Sequence, residues 1–335
     1  MILVTGGTGL VGAHLLLQVT ASESQVRALF RTEKSIAKTK ALFQRYDKEA
    51  QFEKIQWVQG DIIDIPSLEK AFSGITYVYH CAALISYDPK DEDRLRKINI
   101  EGTANMVNLS LDFGIQKFCH VSSIAALGDV KPNETTINET TEWNPEVFHS
   151  DYAISKYGAE MEIWRGQQEG LNVIIVNPGV IFGAGFNHQG SGVFFSKVKK
   201  GFPFYTHGST GFVSVTDVVT VMIALMNSSV SGERFALVAE NLTFKEVIYE
   251  IAKHYGVKPP TFEAKPWLLA IAWRLDWLTS TFFGTKRRLS KYSANALFST
   301  DMISNQKIKN PEISGLHFDF QNITEVIQEV INKES

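Results

Sequence analysis

The sequence predicts a doubly wound parallel α/β sheet followed by a smaller α/β unit, and three observations carry that expectation. Short β-branched or aromatic runs alternate with longer helical patterns through the first half of the chain. Several of those runs are apolar on both faces, as in Val173-Ile174-Ile175-Val176, which suits strands covered by helices on each side. A glycine-spaced turn joins the first strand to the first helix. Such alternation implies right-handed crossovers, with ligands bound at the carboxyl ends of the strands.

Strands are expected at Ile2–Thr5, Val26–Phe30, Ile55–Gln59, Tyr77–His80, Phe118–Ser122 and Val173–Asn177. The clearest helices between them are one opening at Gly9, one from Asp91 to Phe113 and one from Asp151 to Gln168. After residue 180 the rhythm changes. Gly183 to Gly192 is rich in glycine, and Lys199 to Thr210 carries Gly201, Pro203 and Gly208. Trp267, Trp273, Trp277, Phe282 and Phe283 make an aromatic cluster near the end. The expected division is a nucleotide-binding domain over 1–178 and a substrate-binding domain over 179–211 and 231–335. Residues 212–230 rejoin the first domain, with Val213 to Met226 returning to it as a strand and a helix.

Composition removes several classes. An apolar fraction of 44% with 21% charged residues excludes disorder and coiled coil. A net charge of −3 supplies no basic field for nucleic acid, so none is expected as a partner. Two cysteines, Cys81 and Cys119, are too few for a disulfide framework or a four-thiolate zinc site. No HxxH or HxxxH pair occurs among the histidines, so no metal is expected. Met1 runs directly into the first strand, which leaves no room for a signal peptide. Trp267 to Phe283 is interrupted by Arg274 and Asp276 and is too short to span a bilayer. A cytoplasmic protein is expected.

Thr5-Gly6-Gly7-Thr8-Gly9-Leu10-Val11-Gly12 follows the first strand and opens the first helix. Gly6 permits the tight turn, Gly9 lets backbone N–H groups approach a pyrophosphate, and Gly12 lets helix and strand pack closely. This is a dinucleotide cradle of the Rossmann type. The second strand ends Leu29-Phe30-Arg31, with Lys34 soon after and no acid at the tip. A guanidinium pairs with a 2′-phosphate through two parallel hydrogen bonds, so NADP(H) is expected over NAD(H). Asp61-Ile62, after the third strand, is placed to meet the adenine.

Tyr152-Ala153-Ile154-Ser155-Lys156 lies near the start of a predicted helix, and the i, i+4 spacing puts phenol and ammonium on one face. A free phenol titrates near 10. The ammonium and the positive charge of a nicotinamide are both expected to lower that value toward useful proton exchange. Ser123, at the end of a strand, is placed to hold a substrate oxygen against the tyrosine.

Taken in chain order, Thr5 to Gly12, Asp61, His80-Cys81-Ala82-Ala83, Asn99 within Ile98 to Thr103, Ser122-Ser123, Tyr152/Lys156 and Asn177-Pro178-Gly179 are recognisable. The chain resembles the extended short-chain dehydrogenase/reductase superfamily, the NAD-dependent epimerase/dehydratase group. Within that group it is most similar to the dihydroflavonol-4-reductase and 3β-hydroxysteroid dehydrogenase branch. The resemblance implies that Tyr152 is the general acid in reduction and the base in oxidation. It implies that Lys156 holds the nicotinamide ribose and that Ser123 is the third catalytic member. It further implies cofactor contacts from Gly6, Thr8, Gly9, Leu10, Val11, Ala82 and Ala83, with Asn99 bracing the active-site loop and Pro178 and Val180 beside the carboxamide. His80-Cys81 departs from an asparagine-containing motif of many relatives. Relatives pair through helices equivalent to Asp91–Phe113 and Asp151–Gln168, so a homodimer is an expectation.

Reaction classes separate on a few positions. Sugar dehydratases of the superfamily carry an Asp-Glu pair where this chain has Ile124-Ala125. Epimerase relatives carry Arg-Asp where Thr210 and Gly211 stand, and the missing cation would cost charge-assisted hydrogen bonds to a diphosphate; Arg287 or Arg288 is the nearby substitute. The leading expectation is therefore NADP(H)-dependent reduction of a carbonyl, or oxidation of a secondary alcohol, on a small and relatively apolar substrate. A nucleotide-sugar epimerase and a non-catalytic NADP-binding redox sensor are the alternatives. Trp267 to Phe283 has three readings: a roof over the substrate pocket, a helix packed on the surface, or a peripheral membrane contact with Lys286-Arg287-Arg288 as its basic tail.

Overall fold

The computed structural model describes residues 1–22, 25–131, 134–187, 189–282 and 291–334. Phe283, Lys286, Arg287 and Arg288 lie outside the described residues. The strands, in chain order, are β1 (Ile2–Thr5), β2 (Val26–Phe30), β3 (Ile55–Gln59), β4 (Tyr77–His80), β5 (Lys117–Val121), β6 (Thr136–Ile137) and β7 (Val173–Pro178). They continue with β8 (Val180–Phe182), β9 (Phe204–Tyr205), β10 (Ser209–Ser214), β11 (Glu233–Leu237), β12 (Glu240–Thr243), β13 (Phe262–Glu263) and β14 (Met302–Ile303).

Seven of them form one parallel sheet in the order β11-β7-β5-β4-β1-β2-β3. Adjacent residues of each central strand enter opposite cores, which is why the strands read as unbroken apolar runs. Val4, Tyr79, Cys119 and Val176 pack on one side with Leu15, Val218 and Met222 from helices Leu10–Ser22 and Val215–Met226. Leu3, Val78, Phe118 and Ile175 pack on the other with Met106, Val107 and Ile163 from helices Gly102–Asp112 and Asp151–Gln168. The chain reverses direction of winding between β1 and β4, so the crevice opens at their carboxyl ends.

A separate core of Phe182, Phe195, Phe212, Phe244, Ile248, Ile251, Val326 and Ile327 lies beside the three-stranded sheet β12-β10-β8. Two short pairs, β13 with β9 and β14 with β6, complete the pairing among the described residues.

Three expectations change. The strand of Val213–Met226 does not return to the large sheet: it is β10, paired with β8 and β12, and the seventh strand is β11, from the stretch assigned to the substrate side. The helix Val215–Met226 does return, because its apolar face covers the large sheet. Glu240, three residues beyond β11, faces Phe212 of β10, so one short link feeds both sheets. The helix expected from Asp91 to Phe113 is composite: a 3₁₀ turn Pro89–Asp91, an α-turn Glu92–Leu95, a π-helical stretch Arg96–Glu101 and an α-helix Gly102–Asp112. The fifth strand runs from Lys117 to Val121, one residue earlier than expected at each end.

Candidate active site

The turn after β1 has the geometry its glycines suggest. Gly6 has φ +68°, and a Cβ there would meet the Cys81 carbonyl carbon and the Ala82 nitrogen at 2.6 Å. At Gly12 a Cβ would lie 2.3 Å from the Gly6 oxygen, so helix and turn touch backbone to backbone. Gly9 differs: a Cβ there would meet only the Gly6 oxygen, at 3.4 Å, and the space in front of it is otherwise open. Gly9 N–H donates to Gly6 O (2.9 Å) and Gly9 O accepts from Ala13 N–H (2.9 Å). The helix that starts at Leu10 has no acid in its first turn, whose N–H groups have no intrahelical acceptors. An open glycine cradle facing the positive end of a helix fits a pyrophosphate. Thr8, Leu10 and Val11 form its partly exposed rim.

At the tip of β2, Arg31 is exposed, and among the described residues its guanidinium has no hydrogen-bond or ion-pair partner. Asp61 is partly exposed; its N–H donates to Ser67 Oγ (3.1 Å) and its Oδ1 accepts from Ile63 N–H (3.3 Å). Ile62 is largely buried. Its side chain is buried against Gly102, where an added Cβ would lie 2.6 Å from Ile62 Cδ1, and its carbonyl accepts from Asn105 Nδ2 (3.0 Å).

His80 acquires a definite role. It is fully buried, with Nδ1 2.7 Å from Thr5 Oγ1 and Nε2 3.1 Å from Thr103 Oγ1. Thr103 spends its hydroxyl proton on the Asn99 carbonyl (2.6 Å), so Nε2 must carry the ring proton and Nδ1 must accept from Thr5. Thr5 Oγ1 in turn accepts from Ala82 N–H (3.3 Å). Burial pushes the imidazole down to about 3, with Lys156 adding to that, so the ring is neutral. The Asn99 side chain then grips Leu84 at both its N–H (2.7 Å) and its carbonyl (3.0 Å), and donates to Ser155 Oγ (2.9 Å). The loop carrying Ala82 and Ala83 is thus tied to β1 at one end and to helix Asp151–Gln168 at the other.

That helix is capped by Ser150, whose hydroxyl accepts from Ala153 N–H (3.1 Å). Ser123 caps a 3₁₀ turn just past β5, and its side chain stands against the Tyr152 phenol. The Tyr87 ring packs on Tyr152 with centroids 5.6 Å apart. Lys156 is buried and donates to the Val121 carbonyl (2.8 Å). Pro178 ends β7 and Val180 starts β8, while Asn177 Nδ2 donates to the Ser123 carbonyl (3.0 Å) and to Glu160.

Burial dominates the electrostatics of the pair. Burial raises the Tyr152 phenol above its ordinary range, opposed by the contact with Ser123. Burial also brings Lys156 down to about 8, opposed chiefly by the Glu160 carboxylate. Cys81 is pushed up to about 12 by burial and stays a thiol.

Glu160 is the residue that motif reading missed. It continues the face of Tyr152 and Lys156 at i+8, is fully buried, and accepts from Arg234 Nη1 at 3.1 Å. Arg234 Nε and Nη2 both donate to the Glu139 carbonyl (2.9 and 2.7 Å), so β11 is bonded to the same cluster. The repeat of four was a legible signal for Glu160; nothing in the spacing pointed to Arg234.

A parallel sheet with this glycine turn at its switch point places the chain among NAD(P)-binding proteins. It belongs to the NAD dependent epimerase/dehydratase family, which it matches over residues 2–238, and is an enzyme of the extended short-chain dehydrogenase/reductases. It is 28% identical over 298 residues to sterol demethylase protein B of Methylococcus capsulatus, covering 88% of this chain and 86% of the relative. To a dihydroflavonol 4-reductase-like protein of Synechocystis sp. it is 29% identical over 277 residues, covering 81% and 77%. The crystal structure of gox2253 superposes with a TM-score of 0.80 at 25% identity, over 99% of this chain and 97% of that one. Reductases and epimerases both occur among the relatives by name.

Proposed function

We propose that this protein is an NADP(H)-dependent oxidoreductase that interconverts a carbonyl and a secondary alcohol on a small, relatively apolar substrate. The observation that carries the reading is the convergence of Tyr152, Ser123 and Lys156 beside the carboxyl ends of β4 and β5, next to the glycine turn. Bound cofactor supplies or accepts the hydride at nicotinamide C4. Tyr152 Oη gives the proton to the substrate oxygen in reduction and takes it in oxidation. Ser123 Oγ holds that oxygen, and Lys156 binds the nicotinamide ribose. Gly6, Thr8, Gly9, Leu10 and Val11 seat the pyrophosphate; Arg31 and Asp61 address the adenosine end; Ala82, Ala83, Asn99, Pro178 and Val180 line the nicotinamide end. The segment 179–211 and the chain after β11 form the substrate side. A cytoplasmic location and a homodimer belong to the same reading.

A secondary alcohol of a nucleotide sugar is the competing target, since a Vibrio cholerae relative is named UDP-glucose 4-epimerase. Two positions speak against it. Thr210 supplies no cation, and Gly211 cannot be enlarged, because a Cβ would lie 2.5 Å from Val238 Cγ2.

Tyr152→Phe tests the proposal. NADPH oxidation across a panel of aldehydes and ketones is expected to fall about 10²- to 10⁴-fold, with NADPH affinity retained. Unchanged turnover in the variant overturns it, as does epimerised product from UDP-sugars without net oxidation of cofactor.

A further inference from the structure

Tyr152, Lys156 and Glu160 follow one another by single turns along one face of helix Asp151–Gln168. The reaction proposed above employs the first two and leaves Glu160 without a task. Yet Glu160 is fully buried, and burial raises its carboxyl above the ordinary range, opposed by polar neighbours that include Arg234 and Asn177. A buried ion pair is a weak source of stability. Arg234 moreover donates twice to the Glu139 carbonyl (2.9 and 2.7 Å), so β11 is tied down without Glu160. A structural tie alone gives little reason for a carboxylate here.

Two donors fix that carboxylate. Arg234 Nη1 reaches one oxygen at 3.1 Å, and Asn177 Nδ2 reaches the other. Asn177 Nδ2 gives its second proton to the Ser123 carbonyl (3.0 Å). Both partners of that nitrogen are acceptors, so the amide can stand only one way round. This orientation leaves Asn177 Oδ1 buried and, among the described residues, without a hydrogen-bond partner. A bare buried acceptor is costly. What the cost secures is a direct link from the Glu160 carboxylate to the strand end that carries Ser123.

Lys156 lies one turn back from the same carboxylate. Its Nζ donates to the Val121 carbonyl, and no hydrogen bond joins it to Glu160 among the described residues, so the two act on each other as charges. Both are buried, where screening is weak. The other titratable groups that face the ammonium are neutral. Burial keeps the His80 and His120 rings of β4 and β5 uncharged and Cys81 a thiol, and it holds Tyr152 as the phenol. Glu160 is therefore the negative charge that Lys156 meets.

We propose that Glu160 is the positioning residue behind the candidate site. Through Asn177 it fixes the end of β5 that presents Ser123, and by its charge it holds Lys156 as the ammonium offered to the nicotinamide ribose. This role rests on the reading of Lys156 and Ser123 given above.

NADPH affinity, read by fluorescence titration from about pH 6 to about pH 9.5, tests the charge. The natural protein is expected to lose affinity as pH rises through about 8, where Lys156 gives up its proton. Glu160→Gln keeps an acceptor toward Asn177 but removes the charge, and should move that edge down by about one unit. At about pH 6 its affinity should stay within about twofold of the natural protein, whereas a merely structural loss would weaken binding at every pH alike. Glu160→Asp restores the charge and should bring the edge back to within about 0.3 unit. Should Glu160→Gln not fold, Glu160→Gln with Arg234→Gln strands no lone charge and gives the same reading. Asn177→Ala should lower turnover of aldehydes and ketones about tenfold or more while NADPH affinity is kept. An edge that is present in the natural protein and unmoved in the folded charge variant overturns the proposal alone, as does full turnover in Asn177→Ala. A natural protein without any edge removes Lys156 as a cofactor ligand, which overturns the earlier reading and this proposal together.

Discussion

Lys156 Nζ donates to the Val121 carbonyl at 2.8 Å, so the ammonium beside the candidate catalytic phenol is anchored to the end of β5. Its charge is balanced by Glu160, one turn further along the same helix face. The strand thereby fixes where the lysine head stands before any cofactor arrives.

That burial makes Lys156 a stability probe. Unfolded, the amine keeps its proton up to its ordinary 10.5; folded, only to about 8. Between those values the unfolded chain binds more protons, so the cost of the buried charge is full below pH 8 and fades as pH rises to 10.5. Urea unfolding at pH 8 and pH 10 should show a gain of about 2 kcal/mol for the natural protein relative to Lys156→Met. Glu160→Gln removes the opposing carboxylate and should move the lower edge of that window below pH 8. An unmoved edge would show that Glu160 does not act on Lys156.

Acid should act through buried histidines. Burial takes His14 down to about 4, partly offset by the Ala184 carbonyl, and His80 down to about 3. As pH falls below their ordinary 6.5 the unfolded chain gains protons that the folded one refuses, and stability is lost down to those lower values. Asp217, raised to about 6 by burial, works in the opposite sense, so a variant comparison is needed. Between pH 7 and pH 5 His14→Gln should lose about 2 kcal/mol less than the natural protein. Parallel pH profiles would count against a neutral buried imidazole.

Two glycines of the turn should fail differently. Gly12→Ala drives a Cβ to 2.3 Å from the Gly6 oxygen and should cost about 3 kcal/mol or more, together with dinucleotide binding. Gly9→Ala meets only that oxygen at 3.4 Å, so stability should stay within about 1 kcal/mol. Its methyl occupies the open cradle, and the NADPH dissociation constant should rise about tenfold or more. Thermal melts paired with NADPH fluorescence titration separate the two; unimpaired binding in Gly9→Ala would remove the cradle from the site.

Arg31 should decide between cofactors. Replacing the exposed guanidinium by Asp removes charge-assisted bonds to a 2′-phosphate and offers an acceptor to a 2′-hydroxyl. NADPH affinity is expected to drop about 10- to 100-fold while NADH affinity rises. Equal affinities for the two cofactors before the substitution would refute the preference.

Much of this protein was legible one segment at a time. The strands β1 to β4, the helix after Gly9 and the Tyr152–Lys156 face follow from periods of two and of 3.6 and from spacing within a turn. The pattern around Asp91 to Phe113 gave a helix but not its π-helical stretch, where Asn99 turns to Leu84 and Ser155. Nor did apolar runs say which sheet a strand joins: β10 and β11 read alike, and only packing against Val180–Phe182 or Val173–Pro178 distinguishes them.

The sequence by itself determined the parallel sheet, the glycine cradle and the candidate phenol–ammonium pair, because each is written in neighbouring residues. Tertiary structure alone decided that Arg234 meets Glu160 across 74 positions and that the His80 ring bridges Thr5 and Thr103. Those outcomes depend on which distant groups burial leaves facing one another and in need of a partner. Local spacing carries no record of that.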